Sequence, residues 1–100
     1  MTRAILVEDD NGFRQCMKKI LSSRYPSIEL MEARDGIEAM AKIDLLSPDL
    51  IFMDIQLPGK NGLELTLMIK ARNANAIIVI LTQIERFFFG KNRRKVLTGR

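Results

Sequence analysis

The sequence predicts an α/β fold built on a doubly wound parallel sheet, and three observations lead there. Short apolar runs rich in Ile, Val and Leu recur at residues 4–7, 50–53 and 76–81. Amphipathic stretches of helical period separate them. Proline, glycine and asparagine gather at the junctions, where turns belong. Strands that are apolar on both faces suit a sheet covered by helices above and below. Short connections between parallel strands require right-handed crossovers, which distribute those helices over both faces.

The first run, residues 4–7, meets acids at once in Glu8, Asp9 and Asp10. The helix expected at 11–23 carries Phe13, Met17 and Ile20 on one face. Asp10 or Asn11 is placed to cap it, and Tyr25-Pro26 ends it. Residues 27–33 form a less regular strand, with Ile28 and Leu30 in alternation. For the helix at 35–46 the expected inward stripe is Ile37, Met40 and Ala41, closed by Ser47-Pro48. For the helix at 61–72 it is Leu65, Met68 and Ile69. No internal repeat or low-complexity tract interrupts the alternation. After Thr82 it gives way to Phe87, Phe88 and Phe89 and a basic tail. The expected organisation is a domain core over residues 1–83 and an irregular segment over 84–100.

Composition narrows the functional classes. One hundred residues, 47% of them hydrophobic and 28% charged, fit one modest globular core. A single cysteine, Cys16, excludes an internal disulfide. The apolar run at 4–7 is too short for a signal sequence, and no stretch reaches the length of a membrane span, so a cytoplasmic location is expected. There is no histidine, which excludes His-based metal sites, general bases and phosphotransfer. The net charge of +4 belongs to the tail. Residues 1–83 carry ten Lys/Arg against eleven Asp/Glu, whereas residues 84–100 carry six against one. Arg93, Arg94, Lys95 and Arg100 lack a folded recognition element, so nucleic acid is not the expected partner of this chain.

In an open α/β sheet, ligands bind beyond the C-terminal ends of the strands. Glu8, Asp9 and Asp10 follow the first apolar run, Asp54 follows the run at 50–53, and Thr82 follows the run at 76–81. Singly, each has an ordinary reading: Asp10 as a helix cap, Asp54 as a turn residue, Thr82 as a solvated strand end. Jointly, the fold brings them to one rim. Carboxylates crowded at a partly buried rim repel one another, and a divalent cation relieves the repulsion. Mg²⁺ prefers hard oxygen ligands and keeps exchangeable water positions that a phosphate oxygen can take. Asp54 is then placed as a nucleophile toward phosphorus, with Thr82 as a donor to a phosphoryl oxygen. Pro58-Gly59 and Asn61-Gly62 make the loop after Asp54 compact.

At these residues the chain resembles the receiver domain of bacterial two-component response regulators. The matching segments are Ile5-Leu6-Val7-Glu8-Asp9-Asp10, Ala33-Arg34-Asp35-Gly36-Ile37-Glu38-Ala39, the stretch from Pro48 to Gly62, and the strand that ends at Thr82. The resemblance covers residues 4–83 and implies a flavodoxin-like receiver fold. It also implies roles. Asp54 looks like the phosphoacceptor and Asp9 like the direct ligand of Mg²⁺, with Glu8 acting through water. Gln56 would lend its main-chain carbonyl to the metal. Thr82 resembles the switch hydroxyl. The implied phosphoryl source is a sensor histidine kinase or a small phosphodonor such as acetyl phosphate. The early segments most resemble receivers that precede a helix-turn-helix output domain, so the N-terminal part of a DNA-binding transcriptional regulator is one expectation.

The chain departs from that pattern after Thr82. Family members place a fourth helix before a fifth strand, which ends in a lysine that binds the phosphoryl group. Here eight residues separate Thr82 from Lys91. That is too few for a helix, a strand and their loops. Either about a dozen residues are absent at this point or the stretch after Thr82 is an unrelated terminus. On the first view Lys91 is the phosphate-binding lysine and the fold is truncated after its fourth strand. If the fourth strand is a bare edge, it is a template for pairing and a homodimer is expected.

Two other functions compete. A phosphatase of the haloacid dehalogenase kind needs a second Asp two positions after the nucleophile. Gln56 stands there and cannot exchange protons. The alternative to a working switch is a receiver-like interaction module whose switch is disabled by the C-terminal irregularity.

Overall fold

The computed structural model describes residues 2–54 and 62–81. Gln56, Thr82, Lys91, the phenylalanine triplet and the basic tail lie outside these residues. The elements alternate as β1 (Arg3–Val7), α1 (Asn11–Arg24), β2 (Glu29–Ala33), α2 (Gly36–Leu46), β3 (Leu50–Met53), α3 (Gly62–Arg72) and β4 (Ile77–Ile80). All strand pairs are parallel, in the order β2-β1-β3-β4. The chain steps from β1 outward to β2, crosses back over β1 to β3, and continues to β4. This is the flavodoxin-like order, and it creates a switch point between β1 and β3.

Alternation along the strands feeds two apolar layers. Ile5, Val7, Ile51 and Met53 point to one face, where they meet Ala39 and Ile43 of α2 and Leu65 and Ile69 of α3. Ala4, Leu6 and Phe52 point to the other, where they meet Phe13, Met17 and Leu21 of α1. The doubly wound arrangement expected from the apolar runs is therefore present.

Caps fix where the helices begin and end. The Asp10 carboxylate accepts from the Phe13 amide at 2.9 Å, and the Asp35 carboxylate accepts from the Glu38 amide at 2.8 Å. Each satisfies an amide that has no partner inside its helix. The Glu38 side chain reaches back and accepts from the Arg34 amide at 2.7 Å. Ser47 closes α2 in the left-handed region (φ 46°, ψ 61°), with its amide bonded to the Ile43 carbonyl. Pro48 follows and prevents any continuation.

Two expected stripes are corrected. In α1 Ile20 is 45% exposed and Leu21 is buried in its place. The buried face is turned toward Arg14, whose guanidinium pairs with Glu32 of β2 at 3.1 Å. In α2 the inward residues are Gly36, Ala39 and Ile43, with Met40 half-buried, while Ile37 and Ala41 face solvent. Ala39 and Ile43 pack into the core cluster with β1 and β3, and Gly36 is buried on the same side. In α3, Leu65 and Ile69 are buried as expected and Met68 is half-buried.

The corrected α2 phase makes a stability prediction. Ile43→Ala should cost about 2–5 kcal/mol through lost burial and a cavity. Ile37→Ala should stay within about 0.5 kcal/mol of the parent. Urea unfolding of the two variants checks this, and equal losses would contradict the assigned face.

Candidate functional site

Two backbone hydrogen bonds carry the strands one residue beyond their formal ends. The Glu8 amide donates to the Ala33 carbonyl at 2.9 Å, and the Asp54 amide donates to the Val7 carbonyl at 3.2 Å. Val7 and Met53 stand level in the β1–β3 pair, so the residues just after them emerge together. Glu8 and Asp54 are fully buried there, and Asp9 is exposed. Each of the three offers a carboxylate oxygen, and these oxygens all lie within 4.8 Å of one another. This is the rim at which the β1/β3 switch point opens.

The donor set fits a hard divalent cation. Oxygens bound 2.1 Å from an octahedral Mg²⁺ are about 3.0 Å apart when adjacent and about 4.2 Å when opposite. Three ligands on an octahedron include at most one opposite pair, so a cluster lying within 4.8 Å would draw closer around the ion. Glu8, Asp9 and Asp54 could hold the ion together with water molecules.

Asp10 does not join them. Its side chain caps α1, and its amide donates to Glu8 Oε2 at 2.9 Å, which anchors the Glu8 carboxylate. Leu81 continues β4 beside the site, with its amide donating to the Met53 carbonyl at 2.9 Å. Thr82, Gln56 and Lys91 are outside the described residues.

Sequence reasoning missed Arg14. It is buried, and its Nη1 donates to the Glu8 carbonyl at 2.8 Å, which tethers the main chain at the rim. Its Nη2 donates to Asn11 Oδ1 at 2.7 Å, and its Nε donates to Glu32 Oε1 at 3.1 Å. Gln15 and Lys18 donate to the same Glu32 carboxylate at 2.9 and 2.8 Å. The Lys18 ammonium holds Glu32 below the usual glutamate range against the opposing effect of burial, and Arg14 and Gln15 assist. The available signal was a pair of opposite charges, Arg14 beside Phe13 and Glu32 inside a strand, where apolar residues are expected.

Comparisons with known proteins agree with this geometry. The family model described as the response regulator receiver domain matches residues 4–91. The chain belongs to this family. This receiver domain is 35% identical over 85 residues to the chemotaxis protein CheY of Halobacterium salinarum, covering 84% of the chain and 69% of that protein. It is 34% identical over 84 residues to a protein-glutamate methylesterase/protein-glutamine glutaminase of Myxococcus xanthus, covering 84% of the chain. The chain spans only about a quarter of that relative's length, 24%. Among solved structures it is similar to a LuxR-family two-component response regulator from Aurantimonas, with a TM-score of 0.73 and 33% identity. That likeness covers 80% of this chain and 58% of the other. The receiver domain is thus that of a two-component response regulator. Among its described residues no helix is long and apolar enough to cross a membrane.

The lowered Glu32 pKa carries a pH signature. The folded state binds fewer protons at Glu32 than the unfolded chain does, so stability rises with pH through this window. The contribution is complete at neutral pH and is lost as pH falls through the lowered pKa. Glu32→Gln should cost about 1–3 kcal/mol near pH 7, because Arg14 loses its charged acceptor. The gap between parent and variant should narrow once the pH drops below about 4.3, where the unfolded chain's glutamate protonates. Urea unfolding at several pH values checks this, and a gap independent of pH would contradict it.

Proposed function

We propose that this receiver domain accepts a phosphoryl group on Asp54, with Glu8, Asp9 and Asp54 as its carboxylate ligands for Mg²⁺. One observation carries the reading: the buried Asp54 carboxylate shares a cluster within 4.8 Å with two acids from a neighbouring strand. A carboxylate oxygen of Asp54 attacks phosphorus, and an O–P bond forms. The bond from phosphorus to its leaving group breaks as it does so. With a sensor histidine kinase that bond is P–N and the imidazole departs; with acetyl phosphate it is P–O and acetate departs. Bound Mg²⁺ supplies charge compensation for the phosphoryl oxygens.

The chain's own residues set the geometry. Burial holds the Asp54 carboxylate in one place, and the β1 ladder fixes Glu8 beside it. Arg14, through the Glu8 carbonyl, keeps the end of β1 from drifting. By resemblance, the Gln56 main-chain carbonyl completes the metal ligands, the Thr82 hydroxyl donates to the phosphoryl group, and Lys91 binds it. The chemistry ends at formation and loss of the Asp54 phosphoryl group, with no further substrate turned over. The reading places the domain in the cytoplasm, with residues 1–83 as its core and 84–100 as a separate segment. The similarity to a DNA-binding response regulator of the LuxR family from Staphylococcus aureus supports a place ahead of a DNA-binding output domain.

Incubation with acetyl phosphate and Mg²⁺ should add one phosphoryl group by intact mass. Asp54→Asn should abolish it, and chelation of the metal should prevent it. Asp9→Asn should weaken Mg²⁺ binding by at least about tenfold, the loss seen even for residues that only support a metal ligand. An unchanged mass in protein shown to bind Mg²⁺ would defeat the proposal.

A further inference from the structure

The helices α2 and α3 are apolar on the side that faces away from the sheet. Along α2, Ile37, Ala41 and Leu45 follow one another at intervals of four and all are exposed, Ile37 by 83% and Leu45 by 80%. Along α3, Leu63, Leu67 and Ala71 do the same, Leu63 by 60% and Leu67 by 71%. Both helices cover the same face of the sheet, and Arg72 of α3 joins Asp44 of α2 at 2.9 Å. The two ridges therefore belong to one layer. Four aliphatic side chains this exposed present roughly 400 Å² of apolar surface, within the range of the largest patch on an ordinary monomer, a patch that is often functional.

We propose that this α2–α3 face is the contact between two copies of the chain. A two-fold contact needs a surface that complements itself, and two ridges of the same type supply one. Ile37 and Leu45 lie evenly on either side of Ala41, so an antiparallel pair of α2 helices sets each large side chain against the other kind. Ala41 at the centre allows close approach. The bordering charges nearly cancel: Arg34, Lys42, Lys70 and Arg72 stand against Glu38, Asp44 and Glu64. Several are already paired, Arg34 and Lys42 with Glu38 and Arg72 with Asp44. Two such faces meet with little net repulsion, whereas an anionic surface or a nucleic acid would require a strongly basic border. With the flanking polar residues included, the pairing buries on the order of 1,000 Å² in total, the size of a weak, reversible interface. That area suits a dimer that forms in the micromolar range. It leaves the carboxylate rim at the strand ends uncovered, and it does not depend on phosphorylation.

The test uses the full chain over a range of concentrations by sedimentation equilibrium. A monomer–dimer equilibrium is expected, and Leu45→Asp and Leu67→Asp should each raise the dissociation constant by about tenfold or more. Ile20→Asp, on α1 across the sheet, should leave it unchanged. Circular dichroism matching the parent shows that the variants fold, as such exposed positions allow. Ala41→Cys on a Cys16→Ser background probes the same contact without adding a charge, and an intermolecular disulfide on mild oxidation supports the proposal. Its absence would overturn it. So would a monomer at every concentration, which would assign the ridges to residues 82–100 or to a foreign helix. A dimer indifferent to both aspartates and broken by Ile77→Lys would also overturn it, in favour of pairing through β4.

Discussion

The parallel pairing of β1 with β3 is the constraint on which the molecule depends. These strands are separated in sequence by a helix, a strand and another helix, yet Val7 stands level with Met53. Only a reversal of winding direction brings them together, and that reversal opens the crevice at their C-terminal ends. Glu8 and Asp54 each continue their strand by one hydrogen bond and carry their carboxylates into that crevice. Carboxylates brought within 4.8 Å of one another repel when ionised together. The apolar layers on both faces hold the strands in register, and the acids are concentrated as a consequence. Charge gathered in this way could hold a cation.

The Arg14–Glu32 network ties that rim to the helix beside it. Arg14 leaves α1 within the buried face, grips the Glu8 carbonyl, and is itself fixed by Glu32 on β2. A lysine would place one charge there but could not bond the carbonyl, Asn11 and Glu32 through a planar fork. Movement of the β1 end would therefore have to disturb α1 and β2 together. This gives the site a rigid floor beneath Glu8 and Asp9.

Much of this was legible from residue order alone. The apolar runs announced buried parallel strands, and the acids after two of them announced the rim, because strand ends in this fold class converge by geometry. The helix phases were not legible in the same way. Spacing of three and four identifies a stripe, but α2 has apolar residues almost all round, at Ile37, Met40, Ala41, Ile43, Leu45 and Leu46. The side that faces the sheet is the one carrying Ala39 and Ile43 into the core, a matter of packing that period does not encode. In α1 the choice between Ile20 and Leu21 turned on Arg14, whose partner lies on another strand. Arg14 and Leu21 share the buried face, with Arg14 paired to Glu32 eighteen residues away in sequence, and Ile20 lies outside.

The error in α2 is informative because it has the same cause as the exposed ridges. A surface helix in a globular domain ordinarily carries one apolar stripe and a polar back. Where both sides are apolar, sequence period cannot select between them, and folding of a single chain can bury only one. α3 repeats the pattern, with Leu65 and Ile69 inside and Leu63 and Leu67 outside. One such helix is an ordinary irregularity of surface composition. Two in the same layer, their ridges adjacent and their bordering charges balanced, amount to a second packing surface that the sheet has no means to satisfy. Ambiguity in the sequence reading is in this case the trace of two faces with two different uses.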